Sequence, residues 1–216
     1  MSTGTGTSPP GVKILLPGDD LSQLTGRWEL DPTHSSVGIS VSYARFTLIN
    51  ARFADHDGTV VIDCFDPAAS TVDVAIRTAS FDSGMPMRDA HVAAADFLDA
   101  AGFPDITFRG ERISVGEAAD GRYLLEGRLK LHGITRRQRF DVLFHGAGPD
   151  MMGNTRLGFG ITGMLSREGF GVGWNAPVPG GARLLPDTVN VVSEMSLLPE
   201  GTGARIRAAM AAGAGA

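Results

Sequence analysis

Apolar and polar residues alternate with period two along most of this chain, the spacing that turns one face of an extended strand to a core and the other to water. In "SVGISVSY" the residues Val37, Ile39, Val41 and Tyr43 share one face, while Ser36, Gly38, Ser40 and Ser42 share the other. A helix of 3.6 residues per turn would scatter both sets around its axis. The same test predicts strands around Val72, Val74 and Ile76, around Tyr123, Leu125, Leu129 and Leu131, and around Phe140, Val142 and Phe144. It continues through Leu157, Phe159 and Ile161 and closes with Val189, Val191, Met195 and Leu197. Two further runs, "GTVVID" (58–63) and "DITFRGERISV" (105–115), bring the number to about eight. In the second, the apolar parity changes between Ile106/Phe108 and Ile113/Val115, which predicts a β-bulge at Gly110.

Turn-forming clusters separate these runs: "DHDG", "DPAAS", "EAADGR", "HGIT" and "GPDMMGN" have the length and the Gly, Asp, Pro and Asn content of hairpin connections. Eight antiparallel strands with one apolar face predict an all-β closed barrel or, failing that, a sandwich; closure also removes exposed strand edges. One stretch breaks the pattern. "RDAHVAAADFLDA" (88–100) is short and alanine-rich, with Asp89 able to cap a first turn, Asp96 a second, and Gly102, Phe103 and Pro104 to stop it. An insert between two strands lies over an end or mouth of a barrel, so Phe97 and Leu98 are expected to point into whatever it covers.

Length and composition narrow the picture. The 216 residues suit one domain, with a folded part at about 12–198, a Gly/Ser/Thr/Pro tail at 1–11 and a Gly/Ala-rich tail at 199–216, both ends expected to be flexible. A formal net charge of −5 and a charged fraction of 20% lack the basic excess that favours nucleic acid, and a polyanion is not an expected partner. Cys64 is the single cysteine and is expected to be a small buried apolar group, with neither a disulfide nor a cysteine-rich zinc site possible. The opening "MSTGTGTSPPGVKILLPGDD" has neither a basic start nor an apolar run of signal-peptide length, which predicts the cytoplasm, and no segment approaches the roughly 18 apolar residues of a membrane span.

The candidates for chemistry are few. Asp31, His34 and Ser35 in "DPTHSS" have the residue types of a hydrolytic triad, yet without a G-x-S-x-G elbow they read as a polar turn leading into a strand. The histidines at 34, 56, 91, 132 and 145 show no metal-binding spacing, so no metal and no cofactor are expected. The glycines of "GFGITG" and "GFGVGW" introduce strands rather than a helix, so they serve barrel curvature instead of phosphate binding. Arg88 and His91, three apart, share a helical face and with Arg167 could meet an anionic head group at a barrel mouth. The alternative is a capping network, with Asp89 capping the turn and Arg88 paired with it or with Asp96.

The segments "WELDPTHSSVGISV", "TASFDSGMPMRDAHVAAADFLDAAGFPDITFRG", "YLLEGRLKLHGITRRQRFDVLFHG" and "LGFGITGMLSREGFGVGW" resemble, in order and from Trp28 to about Leu197, the YceI-like family of lipocalin-like proteins. One departure stands in "SYARFTLINARFAD", where Asn50 and Ala51 occupy the place of a turn glycine; another is the missing signal peptide. The resemblance implies an eight-stranded antiparallel lipocalin-like barrel around a long apolar cavity filled by a polyisoprenoid or similar amphiphile, and a homodimer. The cavity would then be lined by Val37, Ile39, Val41, Tyr43, Phe97, Leu98, Ile106, Phe108, Leu125, Leu129, Phe140, Val142, Phe144, Phe159, Ile161, Val189 and Val191. The expected role is to carry or store a long-chain isoprenoid, isoprenoid quinone or fatty acid derivative without catalysis. The rival readings are an isomerase or cyclase using His91 or His34 as acid or base, and a stress-related interaction protein whose cavity is incidental.

Overall fold

The computed structural model describes residues 14–115 and 120–213, so the segment expected as an N-terminal tail and the first half of the "EAADGR" turn lie outside the described residues. Eleven strands form one antiparallel sheet: β1 Gly26–Leu30, β2 Val37–Tyr43, β3 Thr47–Phe53, β4 His56–Ile62, β5 Thr71–Arg77, β6 Phe81–Asp82, β7 Asp105–Val115, β8 Arg122–Leu131, β9 Ile134–Pro149, β10 Thr155–Ser166 and β11 Thr188–Pro199. Eight of them, in the order β1, β4, β5, β7, β8, β9, β10 and β11, close on themselves through β11 and β1. This is the expected barrel. The chain reverses at one end in the segments 43–47, 77–105, 131–134 and 166–188, here called the lid end, and at the other in 62–71, 115–122 and 149–155, the floor end. No helix of the described residues is long and apolar enough to cross a membrane.

Directly opposed residues share a face, so register carries the alternation from strand to strand. Val74 pairs with Phe108 and Phe108 with Leu129, stacking one apolar layer inside the wall. The rings of Phe108 and Phe140 then meet edge to face at 5.2 Å. The bulge expected at Gly110 is present: Gly110 pairs with Gly127, Arg112 with Glu126, and Glu111 is the extra residue that restores inward parity to Ile113. Gly127 is required by close approach, because a Cβ there would fall 2.2 Å from the Arg109 carbonyl oxygen.

One edge of β11 has two successive partners. Near the floor it pairs with β1 through Leu197 and Leu30, and near the lid with β2 through Val191 and Ile39. The switch is made by the turn between β1 and β2. The Asp31 carboxylate, fully buried, accepts the Thr33 N–H at 2.8 Å and hydroxyl at 2.7 Å, pairs with His34 Nδ1 at 2.8 Å and binds the Arg156 guanidinium. Ser35 exchanges hydrogen bonds with the Ser196 backbone, so it is held to β11 rather than to His34. The reading of "DPTHSS" as a structural turn fits this geometry.

Several expectations are corrected. Strands β1, β3 and β6 were not read from the alternation: β3 shows Leu48 on its outer face, which hides its period, and β6 has only two residues. The β2–β3 reversal uses Ala44 and Arg45, with φ of 48° and 64°, so Asn50 and Ala51 lie inside β3 and no glycine is called for there. "DHDG" is no hairpin turn, since His56 already begins β4. The insert forms helix α1 over Pro86–Ala93, begun by Pro86 rather than capped by Asp89, and turns follow through "FLDAA". The C-terminal segment carries helix α2 over Thr202–Gly213, whose first turn is tied down as Glu29 accepts the N–H groups of Gly201 at 2.8 Å and Ala204 at 3.2 Å.

Replacing Asp31 by alanine leaves Arg156 and the turn without their common acceptor, and should cost about 3–5 kcal/mol in urea unfolding. His34→Ala, which removes an exposed ring from the same carboxylate, should cost below about 1 kcal/mol. Equal losses for the two variants would place the stabilisation elsewhere in the turn.

Candidate ligand cavity

The barrel wall encloses a cavity of about 790 Å³. Its middle is apolar by construction, because every strand turns its hydrophobic set inward. All seventeen residues expected to line it do so, from Val37, Ile39, Val41 and Tyr43 on β2 to Val189 and Val191 on β11. Ser193 is the polar exception at mid-wall, and its proton is already committed: its hydroxyl accepts the Gly38 N–H at 3.1 Å and donates to the Gly38 carbonyl at 3.4 Å. Other polar side chains lie at the ends, with Asp63, Cys64, Ser70 and Tyr123 at the floor and Tyr43, Thr47, Arg88, His91 and Arg167 at the lid. Burial raises the Tyr123 phenol above its ordinary pKa, with Cys64 adding to the effect. Cys64, expected to be buried, is half-buried at the cavity floor.

The sequence did not reveal one wall of the lid. Residues 171–187 have no regular alternation, yet Val172, Trp174, Leu184 and Leu185 line the cavity. Arg167 holds this segment in place. Its Nε donates to the Pro186 carbonyl at 2.8 Å, and its Nη1 to those of Val172 at 2.8 Å and Trp174 at 2.7 Å. The side chain is buried, and loss of hydration pulls its pKa below the ordinary guanidinium value, opposed by Glu168. Backbone carbonyls thus take most of the donors that were expected to meet a head group.

Arg88 and His91 both reach the cavity. Arg88 donates from Nε to the Ser83 hydroxyl at 2.6 Å and from Nη2 to the Ser83 carbonyl at 2.9 Å, leaving Nη1 without a protein partner among the described residues. Asp89 accepts the Ser83 N–H at 3.0 Å and its hydroxyl. Neither of the pairings expected for Arg88, with Asp89 or Asp96, is made; one serine anchors both side chains instead. His91 pairs through Nε2 with Asp96 at 3.1 Å, and its ring stands edge-on to Trp174 at 4.6 Å and near Phe97 at 5.9 Å. The aromatic contact joins α1 to the 171–187 segment across the lid.

Little here resembles a reaction centre. Among the described residues no hydroxyl or thiol is hydrogen-bonded to His91, and no cluster of three or more His, Cys, Asp or Glu side chains could hold a metal ion. His34 does not line the cavity. What the arrangement can do is solvate an apolar chain and place cations beside its end.

Comparison with known proteins agrees with this architecture. Residues 28–197 match the model of the YceI-like domain. A UPF0312 protein of Pseudomonas putida is 36% identical over 139 residues, covering 64% of this chain and 71% of its own. Among solved structures, Burkholderia cenocepacia BcnA superposes with a TM-score of 0.67 at 22% identity, over 77% of this chain and 98% of its own. A polyisoprenoid binding domain from Saccharophagus degradans, implicated in plant cell wall breakdown, superposes with a TM-score of 0.55 at 15% identity, over 80% and 98%.

If Arg167 pins the 171–187 wall, Arg167→Met should leave its carbonyls unsatisfied and cost about 1–3 kcal/mol. In a Trp28→Phe background, which isolates Trp174, the emission should shift to the red and proteolysis should begin within residues 171–187. An unshifted spectrum would mean that the segment holds its place without the arginine.

Proposed function

This chain belongs to the YceI-like family, and on that premise we propose that it binds a long-chain apolar amphiphile inside the barrel, as a carrier or store, and is not an enzyme. The ligand classes are a polyisoprenoid, an isoprenoid quinone or a fatty acid derivative. The observation that carries the reading is the distribution of polarity in the cavity: an apolar middle between two ends that hold the ionisable groups. Each methylene withdrawn from water contributes about 0.8 kcal/mol, so a long chain binds tightly with no polar contact along its length. A volume of about 790 Å³ lies within the range of ligand-binding clefts. The Saccharophagus degradans domain, whose fold is shared, supports the choice of ligand class.

The polar end of the ligand is assigned to the lid. Arg88, with Nη1 to spare, and His91 offer charged or polar donors where the chain would emerge, and Arg167 keeps the wall behind them in place. A pyrophosphate or carboxylate suits these donors, since hydrogen bonds to ionised groups are about twice as strong as neutral ones.

Native mass spectrometry on protein purified without detergent should show a bound species of several hundred daltons, on the order of a chain that fills a drug-sized or larger pocket. An empty barrel that also gains no thermal stability from isoprenoid quinones or prenyl phosphates would defeat the proposal. Phe108→Lys should abolish uptake and lower stability, because the ammonium group cannot be hydrated in the wall. Arg88→Ala and His91→Ala should weaken prenyl pyrophosphate binding by about 1–3 kcal/mol and leave an uncharged isoprenoid nearly unaffected. Equal losses for both ligands would assign the two side chains to the lid's own stability.

A further inference from the structure

The lid end exposes apolar side chains on its turns and on α1. Phe46, at the tip of the β2–β3 hairpin, is 88% exposed, and Met87, in the first turn of α1, is 81% exposed. The left-handed backbone at Ala44 and Arg45 sets this tip. Leu48 and Ile134 add to the rim. Side chains of this size are rarely displayed together without a use.

Cations stand on the same end, one beside Phe46 and others across the ring from it. Arg45 stands in the same turn as Phe46, while Lys130, Arg136 and Arg137 flank the β8–β9 turn at His132 and Gly133. None of the four has an ion-pair partner among the described residues. Arg137 is moreover placed directly opposite Arg128, and Arg128 directly opposite Arg109, on the outer face of three neighbouring strands. Like charges so paired destabilise a sheet unless something else answers them. Only partial answers exist within the chain, Glu111 at 2.5 Å from Arg128 and Asp73 at 3.7 Å from Arg109. Most carboxylates of this end are held within the chain: Asp82, Asp96, Asp105 and Glu168 pair with Arg52, His91, Arg77 and Arg183, while Asp89 accepts the Ser83 N–H, Asp99 the Gly102 N–H and Asp187 the Glu168 N–H.

The opposite end makes the contrast. It too exposes large apolar side chains, Phe65, Met151 and Met152, but they stand beside carboxylates: Phe65 beside Asp63 and Asp66, neither of which has a cation within ion-pair distance among the described residues, and the two methionines beside Asp150. The cavity mouth also belongs to the lid end. Tyr43, Thr47 and Met85 line the cavity and are exposed, and among the described residues β3 pairs with β6 only through Arg52 and Phe53, so the rest of that edge of β3 has no strand partner.

We propose that the lid end docks on an anionic phospholipid bilayer, with Phe46 and Met87 entering the acyl boundary and Arg45, Lys130, Arg136 and Arg137 meeting lipid phosphates. The mouth then opens onto the membrane. The net charge of −5 does not oppose this, because attraction to a surface decays within a Debye length and is set by the face presented. Apolar side chains on a basic rim are what an interfacial site needs. The inference rests on the carrier reading for its purpose, since such docking would place the cavity mouth where an apolar ligand resides.

Flotation of the full chain with vesicles of phosphatidylcholine and phosphatidylglycerol, against vesicles of phosphatidylcholine alone, tests it. Binding is expected to the mixed vesicles, to fall with added salt, to weaken about tenfold or more in Phe46→Ser and in Arg136→Glu/Arg137→Glu, and to be unchanged in Phe65→Ser. Arg45→Glu serves as a second charge variant should the double one melt early. Failure to bind, equal binding to both vesicles, or an equal loss in Phe65→Ser overturns the proposal. So does sedimentation showing a self-association that Phe46→Ser dissolves, which would give the patch to a second copy of the chain. Uptake of cis-parinaric acid without vesicles separates the two readings. Uptake with no vesicle binding rejects docking and leaves carriage standing; vesicle binding without uptake supports docking and removes carriage.

Discussion

Closure of the sheet is the constraint from which the rest of the molecule follows. Once β11 meets β1, each wall strand has hydrogen-bonded neighbours on both sides and a fixed inward parity, and a slip of one residue would reverse every side chain on a strand. The apolar interior is therefore a property of the ring rather than of any one strand. Closure is achieved here with a broken strand. The β1–β2 interruption lets a single edge of β11 serve two partners, and it is held by a buried carboxylate that collects donors from its own turn and from Arg156 on β10. A charge in such a place is tolerated only when it is fully paired and bonded.

The lid rests on different physics. It has few backbone ladders, so side chains fix it. Arg167 draws the 171–187 segment inward by its carbonyls, Ser83 anchors the start of α1 through Arg88 and Asp89, and His91 on Trp174 joins the two pieces. Each of these attachments is local and could open without unzipping a strand. Differences of this kind separate regions of low and high local stability within one fold.

Much of the barrel was legible because period two is a strong signal wherever one face is dry. The bulge at Gly110 could be read from the parity change alone, and the lining residues from the inward faces. The alternation failed where an outer position is also apolar, as at Leu48, or where a strand is too short to show a period, as in β6. The 171–187 wall was invisible for a deeper reason: its conformation is set by bonds from side chains to backbone groups, made by Arg167 before it and Asn175 within it, and no periodic pattern records that. Helix α2 was missed because its Gly/Ala-rich sequence buries little, while the acceptor for its first N–H groups, Glu29, lies on β1 at the other end of the chain. Among the charged candidates, residue type and spacing placed Arg88 and His91 at the lid but could not show whose carbonyls Arg167 would meet.

The Ser193 hydroxyl has a consequence for selectivity. Its only proton is committed to the Gly38 carbonyl, so the one polar group at mid-wall has no donor left for a carbonyl carried partway along a ligand. Such a group would be dehydrated without compensation, at a cost of about 1–3 kcal/mol. On the carrier reading, the barrel would then discriminate among molecules by where their polarity sits along the chain more than by what that polarity is.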